Sequence, residues 1–258
     1  MNTRLSAITL NTFREAVRDR VLYNLIIFVL LLVASAPLFS QISIGMQRLI
    51  LVNVGLSSIS LFGVIIAIFI GIGLVSKEIE KRTLYTILSR PVRRWEFIAG
   101  KYFGLMMTLA VNAGLMTLGF YIALFITQGV LKPADAWMLV SIYFSVLEFL
   151  MMTAITLLFS SFSSPIFAAI FSFALFVIGT FADDLRNFAA LAQGVTKWLA
   201  TGAAYAVPNF ASLNVISRVA HDQHIAGKLI LYNTAYALLY SAAVVIAAIL
   251  IFERRNLK

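Results

Sequence analysis

Glu148 is the residue whose position most demands an explanation. It stands near the middle of an apolar run from 137 to 159. If that run crosses a bilayer, its insertion carries a cost of at least about 2.5 kcal/mol, so the side chain must face protein or water. Two readings follow: it lines a path for a polar group, or it is protonated or hydrogen-bonded to hydroxyls within the helix bundle. A second cluster is His221-Asp222-Gln223-His224. Two histidines three apart can share a helix face and a metal. A metal site also needs a further ligand and supporting groups, so a solvated loop is the simpler reading. Asp183 and Asp184 are adjacent, so they cannot oppose one another from separate helices as paired catalytic carboxylates must. Gly100-Lys101 and Gly227-Lys228 lack both the upstream glycine and the following Ser or Thr of a phosphate-binding loop. The expectation is a chain that binds neither metal nor ATP and catalyses no reaction by itself.

The densest group of charges lies in residues 77–101, KEIEKRTLYTILSRPVRRWEFIAGK, with seven basic and three acidic side chains. Ile79, Leu84, Ile87 and Leu88 fall roughly on one side of a helix over 77–88. Ser89-Arg90-Pro91 breaks it, because proline disfavours helix in the residue before it. A second helix restarts at about 92. The product is an elbow whose exposed charges, with Tyr85 and Trp95, suit a docking surface. A solvated loop that only sets topology would explain the charge but not the spacing.

These groups need elements to hold them. The chain has 258 residues, of which 61% are hydrophobic and 12% charged, with a mean hydropathy of +0.95. A soluble domain of this size cannot hide that much apolar surface, so lipid is the expected solvent. A spanning helix takes about 20 apolar residues, and six runs qualify: 21–39, 50–75, 102–127, 137–159, 166–181 and 229–252. Barrel strands would alternate apolar and polar, and these runs do not. Ala34-Ser35-Ala36 after the first run resembles a cleavage site, but the long amphipathic segment before it and Pro37 after it argue for a retained span. The fold class expected is all-α, a single transmembrane domain over 1–258.

Fourteen of the twenty basic residues lie in the N-terminal segment, the elbow and the C-terminal tail. With six spans, that bias places both termini and the elbow in the cytoplasm. It accounts for the net charge of +9 without nucleic acid. There are no cysteines, hence no disulfides or thiolate sites; the eight methionines are read as packing.

Residues 4–19 gather Leu5, Thr9, Leu10, Phe13, Ala16 and Val17 on one side and Arg4, Asn11, Arg14, Glu15 and Arg18 on the other. A basic amphipathic helix of this kind lies along a membrane surface. Gly100 and Gly104 form a GxxxG pair, expected to bring helices of the bundle close together. Ser160-Ser161-Phe162-Ser163-Ser164-Pro165 reads as a tight turn that starts a new helix. Residues 182–228 face the other side and read as two short helices in or dipping into the outer leaflet. The first holds Phe188, Leu191, Ala192, Val195, Trp198 and Leu199 and stops near Gly202; the second follows the break Val207-Pro208-Asn209-Phe210.

The stretch KEIEKRTLYTILSRPVRRWEFIAGKYFG resembles the signature loop of type-2 ABC exporter permeases, the membrane subunits of ATP-binding cassette transporters. The matching residues are Glu80, Arg82, Thr83, Leu84, Leu88, Ser89, Arg90, Pro91, Arg94, Glu96, Gly100 and Lys101. The glycine usual before Thr-Leu is Arg82 here. NTFREAVRDRVLYNLIIF and VPNFASLNVIS are similar to the branch described as multicopper-enzyme maturation permease components. The resemblance implies that the elbow is a coupling helix seated on a separate ATPase, with ATP and magnesium held there and no cofactor bound by this chain. It implies two ATPase copies, a second permease copy or a related permease, and a home in the cytoplasmic (inner) membrane. Export of a substrate is the expected function. Transmission of ATP-driven motion to an extracytoplasmic partner through 182–228 is the alternative, and a membrane enzyme is the remaining class.

Overall fold

A computed structural model of the chain describes residues 2–18, 27–28, 31, 35, 47–80, 93–130 and 132–254, of which 2–3 and 74–80 by backbone alone. Helices α1 (Asn2–Ala16), α2 (Gln47–Glu80), α3 (Arg94–Gln128) and α4 (Met138–Phe162) come first. They are followed by α5 (Pro165–Thr180), α6 (Ala182–Leu191), α7 (Gly194–Ala206), α8 (Ile216–Ala220) and α9 (Gly227–Arg254). No strand occurs among the described residues. Four helices are long and apolar enough to cross a membrane: those over Gln47–Gly73, Arg94–Gln128, Pro133–Phe162 and Gly227–Arg254. The pair α5 and α6, bent by 59°, makes a fifth if it is one broken span. Sixteen residues of α5 rise only about 24 Å, short of the ~30 Å hydrocarbon core, which is why α5 needs a continuation. The first expected span, 21–39, lies almost wholly outside the described residues.

The centre of the bundle is α4, which packs on α2, α3, α5 and α9. Glycines set its distance from α2. A Cβ on Gly63 would collide with the ring of Phe149, and one on Gly71 would lie 2.9 Å from Thr156 Cγ2. Gly55 does the same work against α3, where a Cβ would meet the Phe120 ring at 2.5 Å. Between helices already in lipid, such close backbone contact supplies the attraction that the hydrophobic effect does not.

The Gly100–Gly104 pair has a different partner from the one expected. It receives α1, not another span. A Cβ on Gly100 would stand 2.5 Å from Ile8 Cγ2, and one on Gly104 would stand 2.5 Å from Thr12 Cβ. The line of α1 that faces α3 is accordingly half-buried Ile8 with buried Thr12 and Ala16. Leu5 and Leu10, placed on the apolar face by sequence, instead flank an open groove with Phe103 and Met107. Small side chains at 12 and 16 let the α1 backbone reach α3, and Leu10 turns outward.

The turn after α4 runs through extended Ser163 and Ser164, and Pro165 opens α5. Beyond α5 the structure corrects the expected pair of helices. There are three, α6, α7 and α8, with a 3-10 turn at Ala211–Leu213. Gly202 does not stop α7, which runs on to Ala206. The break falls earlier, at Ala192 and Gln193, and Gly194 takes φ +61, a conformation glycine adopts without steric cost.

Candidate functional site

Three polar clusters stand out, one at each end of the bundle and one within it. The first is where α1, the start of α3 and the end of α9 meet. Glu96 folds back so that its carboxylate accepts from the Arg93 backbone N–H at 2.9 Å, fixing the entry to α3. Arg94 Nη1 donates to the carbonyls of Phe252 at 3.3 Å and Glu253 at 2.9 Å. These belong to the last turn of α9, where carbonyls have no helical partner. Lys101 is 2% exposed and pairs with Glu15 at 3.3 Å, with its ammonium 5.6 Å from the Phe97 ring centre. A buried ammonium needs such a partner.

Of the elbow residues singled out by sequence, Arg94, Glu96 and Lys101 are therefore turned into this chain. Arg94 ties α3 to α9 and Lys101 ties α3 to α1, while Glu96 caps the start of α3. Glu80 ends α2 and is described by backbone only; Arg82, Thr83, Leu84, Leu88, Ser89, Arg90 and Pro91 lie outside the described residues. Glu15 was not singled out, since on its own helix it reads as one more exposed charge.

The second cluster is the intramembrane one. Ser60 Oγ on α2 donates to Glu148 Oε2 on α4 at 2.6 Å. Glu148 thus has a hydroxyl partner on a neighbouring helix, one turn from the Gly63–Phe149 contact.

The third lies at the opposite end. Arg48, at the start of α2, reaches two aspartates at once. Its Nη1 and Nη2 donate to Asp222 at 2.8 and 3.1 Å, and Nη2 also donates to Asp135 at 2.7 Å. Asp135 is buried. Its second oxygen accepts from the Lys132 backbone N–H at 2.7 Å, and its carbonyl accepts from Tyr121 Oη at 2.7 Å. Planar guanidinium matches carboxylates in this two-pronged way. Asp222 sits at φ +55, which Asp tolerates better than most residues. The histidines beside it diverge: His221 Nδ1 lies 2.8 Å from the Ser217 carbonyl, and His224 packs edge-on against Trp137. Among the described residues no group of three or more His, Cys, Asp or Glu could hold a metal ion.

Asp183 is likewise engaged locally. Its Oδ1 accepts from Asn209 Nδ2 at 3.3 Å and pairs with Arg186 at 3.5 Å. Asn209 N–H donates to Tyr236 Oη at 2.9 Å, and Phe210 N–H donates to the Gly179 carbonyl at 3.1 Å. The Val207-Pro208-Asn209-Phe210 break is thereby seated on α5 and α9.

Long apolar helices around a glycine-gapped central helix, with charged clusters at the two ends, define a multi-pass α-helical membrane protein. A family model described as ABC-2 family transporter protein matches residues 6–257, nearly the whole chain, and the chain belongs to that family. It is accordingly a membrane permease subunit of an ABC transporter, the kind that works with an ATPase partner. No curated protein matches the chain.

Proposed function

We propose that this chain is the permease subunit of an ABC exporter in the cytoplasmic (inner) membrane, with both termini and the 77–101 elbow in the cytoplasm. The observation that carries the reading is the polar knot of Glu96, Arg94, Lys101 and Glu15. It joins α1, α3 and the end of α9 at the point where the chain enters α3 from the charged elbow in sequence, so that motion of the elbow is passed to three elements together. The elbow residues Glu80, Arg82, Thr83, Leu84, Leu88, Ser89, Arg90 and Pro91 dock on a separate ATPase, which holds ATP and magnesium. Arg94, Glu96 and Lys101 act one step behind that surface as positioning residues. Two permeases and two ATPases complete the machine. The multicopper-maturation branch is a further part of the reading, supported by the similarity of residues 11–28 and 207–217.

The test is co-purification from native membranes in mild detergent. An ATPase subunit accompanies the wild type and is lost from Leu84→Asp, while the variant keeps its fold. An ATPase that stays bound to Leu84→Asp, or none with the wild type, overturns the reading.

Glu148 belongs to the transport path. Glu148→Gln keeps an acceptor for Ser60 and so keeps the packing, but removes the ability to ionise. A hydrogen bond to a charged group contributes about 1.5–3 kcal/mol, so transport falls by about tenfold or more with assembly intact. Unchanged transport would reduce Glu148 to a packing group.

The second reading, motion delivered to an extracytoplasmic partner, is favoured by the α6–α7 hairpin. Among the described elements α7 makes its main contact with α6 alone, and Leu191, Val195, Trp198, Leu199 and Tyr205 are all exposed. Vectorial movement of a substrate in proteoliposomes separates the two.

A further inference from the structure

Where α1 docks on α3 the seam itself is closed, with Ile8 and Thr12 against Gly100 and Gly104. Beside the seam the two helices diverge and leave an open groove of about 460 Å3. Leu5, Ser6, Thr9 and Leu10 of α1 form one wall, and Phe103 and Met107 of α3 form the other. Its size falls in the range of about 300–1,000 Å3 typical of ligand sites. The surface it presents is almost entirely apolar. Leu10, Phe103 and Met107 are exposed, so the groove opens outward from the bundle.

What it opens onto is set by the rest of α3. Val111, Leu115, Leu118 and Ile122 continue from Phe103 and Met107 along one face of that helix, and all are exposed. A spanning helix turns such a face to hydrocarbon, and the groove is the end of it. Lipid tails are as apolar as leucine, so burial alone gives an acyl chain no preference for the groove over the bulk bilayer. Two features do. A chain in the trough touches atoms of two helices rather than one, and the rim of the trough is charged.

Arg14 supplies that charge. It is exposed and follows Leu10 by one helical turn. Helical side chains lean toward the N-terminus, which carries a long one at position 14 back over Leu10 and the edge of the groove. Residues 1–20 hold Arg4, Arg14, Arg18 and Arg20 against Glu15 and Asp19, and Glu15 is engaged with Lys101. The segment keeps a positive balance after its own acids are counted.

We propose that this groove holds one acyl chain of an anionic phospholipid, with the phosphate of that lipid against the Arg14 guanidinium. The lipid is then a third component of the joint between α1 and α3. The site requires the chain to lie in a bilayer and does not depend on the coupling role of the elbow.

The test reconstitutes the full chain in vesicles of phosphatidylglycerol and phosphatidylcholine in equal parts, with matched acyl chains, and reads the released protein by native mass spectrometry. The wild type retains one phosphatidylglycerol in preference to phosphatidylcholine. Met107→Trp fills the groove from an exposed position and loses that lipid. Arg14→Gln leaves the groove intact but weakens the preference for phosphatidylglycerol by about fivefold, the effect of one basic residue near an anionic surface. Arg14→Lys restores it. Leu118→Trp, about three turns further along the same face, retains lipid as the wild type does and controls for bulk. In detergent, added phosphatidylglycerol raises the unfolding temperature of the wild type and not that of Met107→Trp, as expected of a ligand of the folded state. Equal retention by Met107→Trp and wild type, or no preference for phosphatidylglycerol in the wild type, overturns the proposal. So does a second copy of the chain in place of the lipid, seen as a dimer that Met107→Trp dissociates.

Discussion

Replacing Gly104 with leucine detaches α1 from α3. The added Cβ alone would stand 2.5 Å from Thr12 Cβ and 2.8 Å from the Thr9 carbonyl oxygen, and no rotamer change moves a backbone oxygen. Overpacking of this kind costs about 1–3 kcal/mol, occasionally more. The loss extends past that figure, because displacing α1 also takes the Glu15 carboxylate from the buried Lys101 ammonium. Gly114→Leu is the control, since a Cβ there meets nothing within 4 Å. The chain has no cysteine, so a pair introduced at Ser6 and Met107, across the groove between α1 and α3, reports docking by cross-linking. The cross-link forms in the parent and in the Gly114 variant and fails in the Gly104 variant. Under the proposed coupling role, ATP hydrolysis by the assembled complex fails with it. A cross-link of normal yield in Gly104→Leu would show that α1 tolerates the insertion, and the close-packing account would be wrong.

The second large effect is at Arg48. Arg48→Ala leaves Asp135 buried with only the Lys132 N–H on its carboxylate. Stripping the partner from a buried charge costs about 3–5 kcal/mol. Asp222, whose side chain is 53% exposed, is solvated without its partner, so Asp222→Asn costs about 0.2–1 kcal/mol. The double variant Arg48→Ala, Asp135→Asn recovers part of the loss, because the orphaned charge is gone. Unfolding by denaturant in detergent micelles ranks the three. Equal destabilisation by Arg48→Ala and Asp222→Asn would contradict the assignment of Asp135 as the buried partner.

What could be read from sequence, and what could not, follows from the range of the interactions. The apolar runs behind α2, α3, α4 and α9 are local and legible. So is the turn at Ser163, Ser164 and Pro165, where dipeptide chemistry decides the backbone. The GxxxG pair announced a close approach but not its partner, because an amphipathic helix does not show in hydropathy as a neighbour for a span. Arg94, Glu96 and Lys101 read from sequence as part of the exposed charge of the elbow. The inward orientation of Lys101 depends on Glu15 and that of Arg94 on the carbonyls of Phe252 and Glu253, which are remote in sequence, while Glu96 turns back on the nearby Arg93 N–H. The Arg48 clamp joins positions 48, 135 and 222, and no window contains all three. Gly202 looked like a helix stop on composition, yet the positive φ that breaks the segment is spent at Gly194, and a glycine inside a helix costs only about 1 kcal/mol.

The central place of α4 also bears on the order of manufacture. A chain emerges N-terminus first, so α2 and α3 enter the bilayer before the helix they are built around. The Gly55 contact with Phe120 can close at once, since both residues are already present. The recesses at Gly63 and Gly71 stay vacant until Phe149 and Thr156 arrive, and Ser60 waits without Glu148. The young protein therefore spends the synthesis of about twenty-five further residues, from the end of α3 into α4, as a helix pair with an open seam. A ribosome pause in that interval would prolong the exposure, and an insertase that shelters the seam of α2 would shorten it.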